Sequence, residues 1–298
     1  MKTRWLTVAL LLIAAGQSLA DTTFQPFVLA SINDTPLAAQ TAATRSALKA
    51  GGFTVAGEYA PLDTARVIVV TSDALLDVAA QTPRGGYAAG QRVSISERNG
   101  KTEVAFVNPL YIQHAYRLAS DMQPVYDQLT AALGEVDTFG TEDGMSAKKL
   151  AKYNYKPLME KFDDPYELGR FDSHEAAVAA VEQGLSRAGD ALTQVYRIDV
   201  PNTDQVVIGI GMKAVSEDDV DIDEAHQLSI VDFEGYSKAA YFPYEVLVRG
   251  QDVEALHMRF RMAVHFPYLS MMCAHGFTKL MSSPGATEDA LENLVATE

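Results

Sequence analysis

The chain has 298 residues, of which 48% are hydrophobic, and a formal net charge of −15. This length suits one large or two ordinary domains, and the acidity argues against binding to nucleic acid or to anionic lipid surfaces. Cys273 is the only cysteine, which excludes an internal disulfide, covalently attached haem and multi-cysteine metal sites.

The first twenty residues have the pattern of a secretory signal peptide. Lys2 and Arg4 form a basic start, residues 5–15 are apolar, and the small residues at 18–20 suit a cleavage site. Cleavage after Ala20 would remove two basic residues and no acidic one, which changes the formal charge from −15 to −17. We therefore expect an exported protein, periplasmic or secreted. No later run is long and apolar enough to predict membrane insertion after cleavage.

Residues 21–134 have the pattern of a first α+β unit. Thr35-Pro36 predicts a helix start and Gly51-Gly52 its end. Asn99-Gly100 lies between two alternating segments, which is a strong hairpin signal. The predicted strands are Phe24–Ile32, Phe53–Tyr59, Arg66–Thr71, Gln91–Glu97 and Thr102–Val107. The predicted helices are Leu37–Ala50, Asp73–Ala80 and Leu110–Leu133, the last broken near Pro124.

Residues 135–165 form a predicted connector, and residues 166–298 a second unit with a helical tail. In the connector, Tyr153, Tyr155 and Phe162 are expected to pack against the units. Ser173 is a predicted helix cap. The predicted strands of the second unit begin with Tyr166–Phe171, Leu192–Val200 and Gln205–Met212. The stretch Ser229–Met272 predicts two strands joined by a tight turn at Gly235, followed by a helix over Asp252–Phe266. Ser282–Gly285 is a predicted turn.

Short matches link the two units at a spacing of about 135–144 residues, by direct comparison of the segments. Ser94-Ile95 matches Ser229-Ile230, and Tyr116-Arg117 matches Phe260-Arg261. A repeat of this length indicates tandem domain duplication. The adjacent hairpins favour an α+β class, with mostly antiparallel sheets and packed helices in a pseudo-two-fold pair. We expect a monomer with pseudo-dimeric units, or a homodimer.

Several segments resemble an exported tandem form of the domain-of-unknown-function family numbered three hundred and two. The segments that carry the resemblance are 49–53, Asn108-Pro109, Phe162–Pro165, Phe242–Tyr244, Arg259–Arg261 and Phe266–Met271. The resemblance implies a compact α+β unit that tends to pair. It implies no activity and no site residue, because no chemistry is established for that family.

The predicted helix over 252–266 carries the main candidate site. His257 and His265 share one helical stripe with Arg261, and Met258 and Met262 lie on the neighbouring stripe. Thioether and imidazole ligands suit copper, and the same groups could hold non-covalent haem. A methionine or aromatic stripe more commonly packs in a core, which is the favoured interpretation here.

Arg261 is a candidate anchor for a ligand, and Arg117 is its predicted counterpart in the first unit. A buried arginine needs a partner. That partner is either a carboxylate of the same unit, which we favour, or an anionic group on a ligand.

The acidic run 217–224 has the alternating aspartates of a calcium loop at Asp219, Asp221 and Asp223. Glu224 stands where such a loop needs glycine, and Ile230 stands where it needs glutamate, so the motif fails. A solvated acidic loop is the favoured interpretation. Zincin, phosphate-loop and nucleophile-elbow patterns also fail, so no catalytic residue is predicted.

The sequence therefore favours a small-molecule binding protein over an enzyme. The expected ligand is apolar or anionic, in a pocket near the 252–266 helix. The expected ligand-binding residues are Arg117, Tyr241, Tyr244, His257, Arg261 and His265. The alternatives are copper or haem bound by His257, Met258, Met262 and His265, or a structural interaction module.

Overall fold

The computed structural model describes residues 22–270 and 275–296. The predicted signal peptide and Cys273 lie outside these residues. Within them the chain forms antiparallel sheets with packed helices, which confirms the α+β class. No helix of the described part is long and apolar enough to cross a membrane.

The first unit folds around a six-stranded sheet. Its strands are β2 (Phe27–Asn33), β3 (Thr54–Leu62), β4 (Ala65–Thr71), β5 (Gln91–Arg98), β6 (Lys101–Val107) and β7 (Asp137–Phe139). They lie in the order β3-β4-β5-β6-β2-β7. The short strands β1 (Thr23–Phe24) and β8 (Met145–Ser146) pair separately. The helices of this unit are α1 (Leu37–Ala50), α2 (Asp73–Ala80), α3 (Pro109–Ala115) and α4 (Gln123–Leu133).

Local signals explain most of this first unit. The β5–β6 hairpin turns at Asn99-Gly100, and both residues have positive φ, as the hairpin signal predicts. Helix α1 has Pro36 rather than Thr35 at its N-cap position. The predicted helix over Leu110–Leu133 is two helices, because the chain leaves helical geometry between Ala115 and Gln123.

The second unit folds around a five-stranded sheet. Its strands are β9 (Tyr166–Arg170), β10 (Leu192–Val200), β11 (Gln205–Met212), β12 (Tyr244–Arg249) and β13 (Asp252–Ala255). They lie in the order β10-β11-β12-β13-β9. The helices that follow β8 are α5 (Ala147–Ala151), α6 (His174–Ala188), α7 (Glu224–Val231), α8 (Met258–His265) and α9 (Ser283–Val295). Ser173 caps α6 through the amide of Ala176, as predicted.

The first of the two strands predicted from Ser229 and the turn at Gly235 are wrong, whereas the second strand is present in part as β12. Asp223 accepts a hydrogen bond from the His226 amide and starts helix α7, which carries the chain through Val231. The hairpin of this unit is β12–β13 and turns at Gly250, which has positive φ. The predicted 252–266 helix is therefore shorter, and its first residues are strand β13. Helix α9 likewise begins inside the predicted Ser282–Gly285 turn, with Pro284 in its first turn.

The two sheets have the same strand order once β7 is set aside. In each unit the strand before the first long helix pairs with the last hairpin strand, as β2 does with β6 and β9 with β13. Strands β3 and β10, which are equivalent edge strands, pack against each other across the units. Equivalent elements that meet in this way are expected of a two-fold arrangement.

The aromatic residues of the connector pack against the units, as predicted. The Tyr153 hydroxyl donates to the Ala263 carbonyl at 2.8 Å. The Phe162 ring stacks on Tyr116 of the first unit at a centroid distance of 5.4 Å. The Tyr155 hydroxyl donates to Leu269. The connector therefore ties helix α8 to the first unit.

Candidate functional site

A buried ion pair joins the two units at their centre. Arg92 lies on β5 and Glu245 on β12, and neither is more than 3% exposed. The Arg92 Nη1 lies 2.7 Å from the Glu245 Oε2. Arg92 Nε also donates to the Ala240 carbonyl at 3.0 Å. A buried pair of charges is costly to dehydrate and is retained only with good geometry and further hydrogen bonds, both of which are present here.

Arg261 on α8 lies beside this ion pair and is 1% exposed. Its Nη2 donates to the carbonyls of Tyr241 and Pro243, at 2.7 and 2.6 Å. The same nitrogen lies 3.6 Å from Glu245, which is an ion contact without a hydrogen bond. The guanidinium lies over the Tyr241 and Tyr244 rings, 4.2 and 4.9 Å from their centroids. The expected carboxylate partner from the same unit is thus present, but it is shared with Arg92.

His265 lies one helical turn after Arg261 and is fully buried. Its Nδ1 lies 2.8 Å from the Arg261 carbonyl, so Nδ1 donates. Its Nε2 lies 3.3 Å from Arg92 Nη2 and therefore accepts. Burial, and then the charges of Arg92 and Arg261, lower the pKa of His265 well below its ordinary value. The imidazole is neutral at pH 7.

Tyrosines complete the site. The Tyr196 hydroxyl donates to Glu245 Oε1 at 2.7 Å. Burial raises the pKa of Tyr116 to about 12. The nearby charge of Arg92 opposes this rise, and that of Glu245 adds to it. We call this set the Arg261 cluster. Its members are Arg92, Tyr116, Tyr196, Tyr241, Tyr244, Glu245, Arg261 and His265.

Several polar atoms of the Arg261 cluster have no hydrogen-bond partner among residues 22–270 and 275–296. They are the hydroxyls of Tyr116 and Tyr241 and the Nε and Nη1 of Arg261. Each buried donor left without a partner costs about 1–3 kcal/mol. The charges are also unbalanced, because two guanidinium cations face one carboxylate and the histidine is neutral. The Arg261 cluster therefore combines unused donors with one surplus positive charge.

Four of the residues predicted to bind a ligand converge in this cluster, and two do not. Arg261, His265, Tyr241 and Tyr244 are all buried within it. The Tyr244 hydroxyl donates to the Leu256 carbonyl, so its ring alone faces Arg261.

His257 lies elsewhere, at the start of α8. Its ring accepts a hydrogen bond from the Arg259 amide, packs on Tyr166 at 4.2 Å and lies 3.4 Å from Glu160. Eight residues of helix separate His257 from His265, which corresponds to about 12 Å. The two imidazoles are too far apart to share one metal ion. Met258 accepts a hydrogen bond from Thr287, and Met262 is buried.

Arg117 is not the counterpart of Arg261. Asn108 and His257 are the N-caps of the equivalent helices α3 and α8. The fourth residue after the cap is Ile112 in α3 and Arg261 in α8, so Ile112 is the residue equivalent to Arg261. Arg117 instead lies after the end of α3 with positive φ and forms a part-exposed ion pair with Asp163 at 2.5 Å. The sequence match between Tyr116-Arg117 and Phe260-Arg261 therefore does not align equivalent positions of helices α3 and α8.

Arg92 and Glu245 were missed at the level of sequence, although each carried a signal. Each is a charged residue at the second position of an otherwise mostly apolar or small-residue strand. Charges at such positions are buried and need a partner. The identity of the partner depends on how the two sheets meet, which the sequence pattern does not contain.

Glu224 and Tyr59 lie beside the Arg261 cluster and also join the two units. The Tyr59 hydroxyl of β3 donates to Glu224 Oε2 at 3.0 Å, and Glu224 Oε1 has no hydrogen-bond partner in the described part of the chain. Burial raises the pKa of Glu224 to about 8. The hydrogen bond from Tyr59 and the charge of Arg261 oppose this rise. The predicted solvated acidic loop is therefore wrong at Glu224, which is only 3% exposed. Both residues line a cleft of about 510 Å³ between the units.

The chain matches no family model, no curated protein and no solved structure.

Proposed function

We propose that the protein binds a small anion at the Arg261 cluster. The observation that carries this proposal is the set of unpartnered donors on Arg261, Tyr116 and Tyr241 around one surplus positive charge. An anion held there would accept from the guanidinium and the hydroxyls, and would balance the charge. Hydrogen bonds between a charged group and its donors contribute about 1.5–3 kcal/mol each.

The charge distribution favours an anion over the apolar ligand that the sequence also allowed. Water could accept from the hydroxyls, but it would leave the positive charge of the second guanidinium unbalanced. Copper and haem have weaker support, because His257 and His265 do not face a common point. An exported location and membership of the resembled family remain predictions, on the signal-peptide pattern and the sequence segments given above.

Isothermal titration calorimetry tests the proposal. The protein is dialysed against a buffer free of small anions and then titrated separately with acetate, phosphate and chloride. We expect one binding site per chain for at least one of them. Removing two hydroxyl donors in the double variant Tyr116→Phe and Tyr241→Phe should weaken that binding about tenfold or more, since 1.4 kcal/mol corresponds to a factor of ten.

Arg117→Gln is the control. Arg117 follows the end of α3, pairs with Asp163 and lies outside the Arg261 cluster. This variant should leave the affinity unchanged. Two results would overturn the proposal. One is that none of the three anions binds with a Kd of about 1 mM or lower. The other is equal affinity in the wild-type protein and the double tyrosine variant, which would place the anion elsewhere.

A further inference from the structure

The cleft above Glu224 is a second site, separate from the Arg261 cluster. It has a volume of about 510 Å³ and lies where β3 and the turn after it meet β11 and the start of α7. Tyr59 and Asp63 line one side, from the first unit. Lys213 and Glu224 line the other side, from the second unit. The cleft is therefore built by both units and would be lost if they separated.

Glu224 is held in place from two directions. Its helix is fixed by the Asp223 cap, whose carboxylate oxygens accept from the amides of His226 and Ala214 at 2.8 and 2.9 Å. Its own Oε2 is fixed by the Tyr59 hydroxyl. The other oxygen, Oε1, is buried, and no donor of the described residues reaches it with hydrogen-bond geometry, although the Met212 amide is near enough to oppose the rise in the pKa of Glu224. A buried carboxyl oxygen without a donor is unusual and indicates a group that a bound donor would complete.

The charges around the cleft favour a cation. Asp63, Asp190 and Asp223 line it, whereas Lys213 is the one basic residue among the lining residues. The groups that act on Glu224 itself are the Tyr59 hydroxyl from β3, the Met212 amide from β11, Arg261 from α8 and Asp223 from its own helix. The described residues contain no group of three His, Cys, Asp or Glu side chains that could hold a metal ion. An organic cation therefore fits this lining better than a metal.

We propose that this cleft binds a small organic amine, whose ammonium group donates to Glu224 and is surrounded by the aspartates. Burial keeps the Glu224 carboxyl largely protonated at neutral pH, since its pKa is raised to about 8. An ammonium ion stabilises the carboxylate form. Binding therefore releases the Glu224 proton to solvent, and the amine binds more tightly as the pH rises.

Calorimetric titration with 1,4-diaminobutane tests this inference, with 1,4-butanediol as the neutral probe of the same length. Both amines of the diamine stay largely charged between pH 6.5 and 8.5, because alkylammonium groups titrate near pH 10.4. We expect an affinity about tenfold or more higher at pH 8.5 than at pH 6.5, from the larger ionised fraction of a carboxyl with a pKa of about 8. In buffers of different ionisation enthalpy, the heats should report proton release. The diol should not bind.

Glu224→Gln is the decisive variant, because its side-chain oxygen can still accept from Tyr59 while it cannot ionise. It should lose most of the diamine affinity and all of the pH dependence. Asp190→Asn, on the exposed rim, keeps the fold intact and should weaken binding at every pH by a similar factor. The inference is overturned if the diamine does not bind, if Glu224→Gln binds it equally, or if the affinity is independent of pH. Binding of the diol, or of calcium in place of the diamine, would also overturn it.

Discussion

Arg92 and Glu245 occupy equivalent positions in the two units and bind each other at 2.7 Å. Each is the second residue of the third strand in its sheet. In a symmetric pair of identical units, such a position would face its own copy, and two like charges would repel. This chain instead has opposite charges at the two positions, which makes the contact attractive.

We expect the effects of Arg92 and Glu245 substitutions on the free energy of unfolding to be strongly coupled. Breaking a buried ion pair from one side typically costs about 3–5 kcal/mol, because the remaining charge stays buried. Arg92→Met and Glu245→Gln should each approach this loss in urea denaturation. The double variant should lose less than the sum of the two. Simple additivity would show that the pair does not stabilise the interface between the units.

The tyrosines of the Arg261 cluster should respond differently to loss of their hydroxyl groups. The Tyr196 hydroxyl donates to Glu245, so Tyr196→Phe should destabilise the protein by about 1.5–3 kcal/mol, the range for a hydrogen bond to a charged group. The Tyr116 and Tyr241 hydroxyls find no hydrogen-bond partner within the described residues. Without an anion, Tyr116→Phe and Tyr241→Phe should therefore be neutral or stabilising. Thermal denaturation in anion-free buffer measures all three, and a uniform loss would contradict the assignment.

Glu224 should make the folded protein less stable as the pH rises. Its folded pKa of about 8 is above the ordinary value of 4.5, so the folded state holds a proton that the unfolded state releases between these values. Stability should fall with pH across this window, by up to about 1.4 kcal/mol per pH unit, and level off above pH 8. Glu224→Gln should remove this component of the slope. Parallel slopes for the wild-type and variant proteins would contradict the buried, protonated carboxyl.

His265 should act in the opposite direction at acidic pH. Its folded pKa lies well below the ordinary value of 6.5, so below pH 6.5 the unfolded state takes up a proton that the folded state does not. Stability should therefore fall as the pH falls from 6.5. His265→Gln keeps an acceptor for Arg92 but does not titrate, and should reduce this loss. An unchanged acid limb would show that His265 is not the group responsible.

Local elements of this fold were accessible from sequence, and the site was accessible only in part. Asn99-Gly100 and the Ser173 cap signal structures that depend on a few neighbouring residues, and both are confirmed. The prediction for the acidic run 217–224 is wrong at Glu224, because the Asp223 cap starts a helix there and Glu224 is buried. Arg261 and His265 were identified from one helical stripe. The contact between His265 and Arg92 joins the two units across 173 residues of chain, and no local pattern specifies it.

The most direct measurement is a crystal structure of the protein soaked in bromide, and a second crystal soaked in selenate, each recorded at the anomalous edge. We expect an anomalous peak from at least one of these anions within hydrogen-bond distance of Arg261 and of the Tyr116 or Tyr241 hydroxyl. Anomalous peaks confined to the protein surface, with only water or no density beside Arg261, would contradict it.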